Sequence, residues 1–135
     1  MKLWQKDKAS LQEVEKFTVG NDREMDMYLA SFDVLGSLAH IEMLASVDLL
    51  TKEELTQLQQ ELKSIYKQIQ NGEFTLQDDV EDIHSQIELL LTKKLGDVGK
   101  KIHSARSRND QVLVDVKLFL RNELEKLVKT IQPFF

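Results

Sequence analysis

Cysteine is absent from this 135-residue chain, so disulfides and thiolate chemistry are excluded and the composition fits a reducing compartment. Proline occurs once and glycine five times, which leaves little punctuation for strands and tight turns and points to helices. Positive charge is outweighed, with 18 Lys and Arg against 23 Asp and Glu, a formal −5. That balance offers no global attraction to nucleic acid or to an anionic membrane, so any anion site has to be built locally. No apolar stretch approaches the roughly 20 residues needed to cross a bilayer. The opening MKLWQKDKASLQ lacks the uninterrupted apolar core of a signal peptide. The expectation is a soluble, cytoplasmic protein that binds neither membrane nor nucleic acid.

What is present suits a globular protein. Hydrophobic residues at 41% and charged residues at 30% are enough for one domain with a modest core, or for a domain plus an extra helix. Thr18 to Asp22 reads as a turn or loop. From about Arg23 to Val47, Met25, Leu29, Phe32, Ala39 and Met43 fall at helical steps and predict one or two short helices. Thr51 followed three residues later by Glu54 is a capping box, in which hydroxyl and carboxylate each satisfy a free backbone N–H. Leu55, Leu58, Leu62, Ile65 and Ile69 continue that helix as a stripe, and Asn71-Gly72 supplies a left-handed stop. Asp78 or Asp79 is the expected cap of a further helix that buries Val80, Ile83, Ile87 and Leu95 and ends at Gly96. A loop is expected until about Asn109, then a long helix from about Asp110 to Gln132. Its apolar positions Leu113, Val116, Leu120, Leu124, Leu127 and Ile131 have the spacing of a bundle seam. A helix with so wide an apolar face, followed by Pro133-Phe134-Phe135, is expected to be the front part of a longer protein; the alternative is that the two rings fold back onto this domain's core.

Two clusters have the residue types for chemistry. Ser104 to Gln111 (SARSRNDQ) packs two guanidinium groups, hydroxyls, amides and a carboxylate where a loop becomes a helix. Such a junction aims free backbone N–H groups and the positive end of the helix dipole at an anion, and Arg adds a fork matched to carboxylates. The competing reading is a solvated basic loop with Asn109 or Asp110 as an ordinary N-cap. The second cluster is Glu81-Asp82-Ile83-His84-Ser85. A carboxylate two residues from an imidazole does not share its helical face, so Asp82 and His84 are not a simple acid–base dyad. Taken locally, Asp82 reads as part of a cap and His84 as a surface histidine. His40 and His103 lack metal-ligand spacing, and neither a Gly-rich phosphate loop nor a nucleophile elbow is visible, so no metal or cofactor is expected.

Taken together, these residues resemble the argininosuccinate lyase family of the aspartase/fumarase superfamily. The matching pieces are Glu15-Lys16-Phe17, Phe32-Asp33-Val34-Leu35-Gly36-Ser37, Leu49 to Glu54, Val80 to Ser85, and Gly99 through His103 to Gln111. They stand in family order across nearly the whole chain, and Arg106 to Gln111 is the stretch that separates this family from adenylosuccinate lyases and fumarases. Two departures are plain. Thr18 to Asp22 is slightly longer than the family's loop and has no Ser at its substrate-contacting slot. Gln5 to Lys8 replaces the family's usual Gly-Gly-Arg-Phe, a mark of a divergent branch.

The resemblance implies a mainly α fold: a small N-terminal helical domain over residues 1–108, then the incomplete start of a central helix-bundle domain over residues 109–135. It implies a cofactor-free elimination that splits argininosuccinate into arginine and fumarate. Arg108 and Asn109 match positions that bind substrate, with Ser107, Asp110 and Gln111 shaping the same loop. Asp82 and His84 match a site expected at the arginine end of the substrate, and Asp26 matches a further acidic binding position. The family's catalytic His and Ser lie in later segments, so this chain is expected to contain substrate-binding residues but no acid or base, and to be inactive alone. Homotetramers with sites shared between subunits are implied for the full-length parent. Two other functions are compatible with the residues: a non-catalytic helical self-association module, and a superfamily lyase with another succinyl substrate.

Overall fold

A computed structural model describes residue 17 and residues 22–77 and 80–135. Of the expected Thr18 to Asp22 turn, residues 18–21 lie outside those described, as does the Asp78 or Asp79 cap, while Asp22 is already the first residue of a helix. Every regular element described is helical, as expected: α1 (Asp22–Asp26), α2 (Ala30–Ser46), α3 (Lys52–Gln70), α4 (Ile83–Leu95), α5 (Asp97–Lys100) and α6 (Arg108–Ile131), with 3₁₀ turns at Lys101–His103 and Gln132–Phe134.

The local signals explain most boundaries. Thr51 N donates to Glu54 Oε2 at 2.9 Å and Glu54 N to Thr51 Oγ1 at 3.2 Å, so the capping box starts α3 as read. Gly72 at φ 74° ends it in the left-handed region that glycine enters freely. Asp82 is the N-cap of α4, its Oδ1 accepting from Ser85 N at 2.7 Å. The loop expected between Gly96 and Asn109 instead contains α5 and a 3₁₀ turn. Gly99 permits this: a Cβ there would sit 2.4 Å from the Leu91 carbonyl carbon, so α5 folds back against α4 backbone to backbone.

The apolar core lies among α2, α3 and α4. Val34, Ile41 and Leu44, Leu58, Leu62 and Ile65, and Ile83, Ile87 and Leu91 interleave there, closed by Phe74 and Ile102. The long α6 joins differently. Its only buried residues are Gln111 and Asp115, while Leu113, Leu120, Leu124, Leu127 and Ile131 stay exposed. Phe134 and Phe135 are exposed too, so the rings do not fold back onto the core. The seam read from the sequence is thus an open face, and α6 meets α2 through polar groups. Farther along the same contact, Phe32 and Phe119 pack edge to face, with centroids 6.1 Å apart.

Candidate functional site

The run Ser104 to Gln111 is shaped by two backbone decisions. Ala105 takes φ 58°, a left-handed conformation uncommon for a residue with a Cβ, which reverses the chain between the 3₁₀ turn and α6. Ser107 then caps α6, two or three residues earlier than the Asn109 or Asp110 cap considered from the sequence. Its hydroxyl accepts from Asp110 N at 3.3 Å, and Asp110 Oδ2 accepts from Ser107 N at 2.9 Å. The Ser107 N–H and hydroxyl, both donating to Asp110 Oδ2 at 2.9 Å, hold the Asp110 carboxyl below its ordinary range. Asp110 is thereby committed to the cap, and Asn109 is exposed beside it.

The side chains of the run diverge. Arg106 turns in toward α2, its Nη2 donating to the buried Ser37 Oγ at 3.2 Å, and burial lowers its pKa. Arg108 reaches α4 instead: Nη2 donates to Ser85 Oγ at 3.0 Å and Nη1 lies 3.4 Å from Asp82 Oδ1. The two segments singled out in the sequence therefore meet through Arg108. Around that contact is a cavity of about 260 Å³ lined by Asp22, Asp26, Glu81, Asp82, His84 and Arg108, with Met25 and Val112. Four carboxylates against one guanidinium make it a place for a cationic group. Burial raises the Asp26 pKa.

Asp26, Asp82, His84 and Arg108, candidates from distant parts of the chain, thus line one cavity. Ser107, Asn109 and Asp110 do not line it, and Gln111 turns away into the interior. His84 is buried, against its local reading as a surface histidine. Its Nδ1 is 3.0 Å from Asp33 Oδ1 and 3.6 Å from Asp115 Oδ2. Gln111 Nε2 donates to the same Asp33 oxygen at 2.6 Å. Neither Asp33 nor Asp115 was a candidate from sequence. The available signal was the polar pair Gln111 and Asp115, one helical turn apart on the side of α6 away from its leucines, with Asp33 and Ser37 similarly spaced on α2. Asp33, His84 and Asp115 present ligand atoms within 4.8 Å of one another, close enough for a metal triad. The amide of Gln111 already donates into this group and Arg106 adds positive charge beside it, so the donor set suits a proton better than a cation.

A second cavity, about 250 Å³, lies on the other side of α6 and is lined by Gly36, His40, Arg106, Gln111 and Asp115 among others. His40 Nε2 donates to the Ser104 carbonyl at 2.8 Å, and burial lowers its pKa.

The family model described as lyase matches residues 4–135. The chain belongs to the lyase family. Its similarity to individual lyases is high. It is 59% identical to the argininosuccinate lyase of Bacteroides thetaiotaomicron over 99% of this chain and 30% of that protein. To the argininosuccinate lyase of Phocaeicola vulgatus it is 60% identical over the same shares. With that of Thermotoga neapolitana the identity is 44% over 93% of the chain and 32% of the relative. This lyase chain therefore spans about 30% of the length of the curated relatives it matches.

Proposed function

We propose that this chain is the substrate-binding N-terminal part of an argininosuccinate lyase, a carbon–nitrogen lyase of arginine biosynthesis. In the reaction, a base removes a proton from the carbon next to a succinyl carboxylate, giving an aci-carboxylate, and an acid protonates the departing guanidinium nitrogen. Arginine and fumarate result, and no cofactor takes part. Dense positive and hydrogen-bonding groups must be in place before the oxyanion charge develops. Arg108 and Asn109, at the start of α6, are suited to the succinyl end. Asp26, Asp82 and His84 are suited to the cationic arginine end. Acid and base come from segments outside this chain, so the 135 residues supply substrate-binding groups and are inactive alone.

The contact of Arg108 with Asp82 and Ser85 carries this reading, because it joins the two segments into one site. The open leucine face of α6 supports a central helix bundle starting at residue 109, after a helical domain over residues 1–108, and a homotetrameric parent. No helix among the described residues is long and apolar enough to cross a membrane, which is compatible with a cytoplasmic enzyme.

The test is fumarate release from argininosuccinate by the full-length protein, followed by ultraviolet absorbance. Asn109→Ala is expected to lower turnover about 100-fold or more, the scale of losing one oxyanion donor. Turnover unchanged by that substitution, or absent from the unmutated protein, overturns the reading.

A further inference from the structure

Behind His84 lies a pair of acids that the proposed chemistry does not use. Asp33 on α2 and Asp115 on α6 are both sealed from solvent, at 0% and 1% exposure. Two adjacent carboxylates in such a place do not both ionise. Were Asp115 an anion, both of its oxygens would be buried without a donor, as would Asp33 Oδ2. As an acid it donates its O–H to Asp33, which gives Asp33 Oδ2 and one Asp115 oxygen a partner. Burial and the charge of Asp33 push the Asp115 carboxyl up to about 8. The anion then rests on Asp33, where the His84 ring and the Gln111 amide converge on Oδ1, with the Arg106 guanidinium nearby as counter-charge.

An imidazole with Nδ1–H donated to a carboxylate has its other nitrogen as the acceptor. His84 also lines the acidic cavity. We propose that Asp33 and Asp115 are positioning residues for His84: sharing one proton, they hold Nδ1–H inward and present the Nε2 lone pair to the cavity as an acceptor for a guanidinium N–H of the substrate. This deepens the argininosuccinate lyase reading and rests on it. Cation recognition there combines carboxylates at the rim with one neutral acceptor set from behind.

Product inhibition of the full-length enzyme separates this role from a structural one. In Asp33→Asn, KM for argininosuccinate and the inhibition constant of arginine should both rise about tenfold or more, the scale of losing a hydrogen bond involving a charged group. The change in kcat should be smaller, and the inhibition constant of fumarate should hold. Asp115→Asn keeps a neutral donor to Asp33 and should stay within about threefold of the parent, whereas Asp115→Leu should reproduce the arginine-selective loss. That contrast also decides the matter if Asp33→Asn fails to assemble. Equal weakening of arginine and fumarate, or no weakening of either, overturns the positioning role. A parent enzyme inert toward argininosuccinate overturns the functional reading beneath it instead.

Discussion

Gln111 and Asp33 stand 78 positions apart in sequence and 2.6 Å apart in the fold. This hydrogen bond is where the long helix meets the small helical domain, and it is made in a buried polar layer between α2 and α6. His84 enters the same layer from α4, so three helices converge on one carboxylate. Disturbing the protonation of that layer should therefore be felt as stability as well as binding.

The first expectation concerns pH. Asp115 is pushed up to about 8 from an ordinary 3.8, so the folded chain holds a proton that the unfolded chain releases. Its contribution is fully present below about pH 4 and is lost as pH rises through about 8. His40, lowered by burial, acts with opposite sign, but only below its ordinary range near 6.5. Between pH 7 and 8 the unfolding free energy should thus fall, by at most about 1.4 kcal/mol per pH unit for one proton. Urea titrations at the two pH values measure it. The slope should vanish in Asp115→Asn, and a slope of the same size in that variant would count against a shared proton.

The second concerns the cap of α6. Ser107→Ala removes the acceptor for Asp110 N and frees the Asp110 carboxylate from one of its donors. A loss of about 1 kcal/mol is expected, read as a lower urea midpoint at unchanged slope. A variant as stable as the parent would mean that the solvated N-terminus needs no cap.

Gly99→Ala provides the third. The added methyl has backbone on its path, 2.4 Å from Leu91 C and 2.5 Å from Leu91 O, so no side-chain rotation relieves the clash. Separating α5 from α4 should cost about 1–3 kcal/mol, as overpacking of interiors does. Gly72→Ala is the comparison: it meets open space but carries φ 74°, so its smaller loss is a backbone effect only.

How far the sequence reveals this fold follows the range of each interaction. Thr51, Glu54 and Asn71-Gly72 act within four residues, and the limits of α3 were legible from them. Asp82 was read correctly as part of a cap, with the boundary itself expected a few residues earlier. The helix over Asp97–Lys100 was hidden because glycines read as loop until Leu91 is known to lie against Gly99. Ser107 was passed over for Asn109 and Asp110, since three cap-forming residues within four positions leave the choice to the backbone turn at Ala105. His84 shows the limit most clearly. Its neighbours in sequence say surface, and its burial is decided by Asp33, 51 positions away. The family resemblance supplied Asp26, Asp82, His84 and Arg108 as candidates; periodicity alone had no means to put them around one cavity.

The polar base of α6 has a mechanical consequence. Apolar contacts tolerate sliding, whereas hydrogen bonds weaken steeply once bent, so Gln111 and Asp115 fix the helix in angle as well as place. From Asp115 to its end at Ile131, α6 reaches about 24 Å beyond that anchorage. A tilt of about 5° at the root would swing the far end by about 2 Å over such a length. The buried layer is thus the pivot that aims a lever, and whatever assembles on the distant leucines inherits its alignment from one proton-sharing pair at the root.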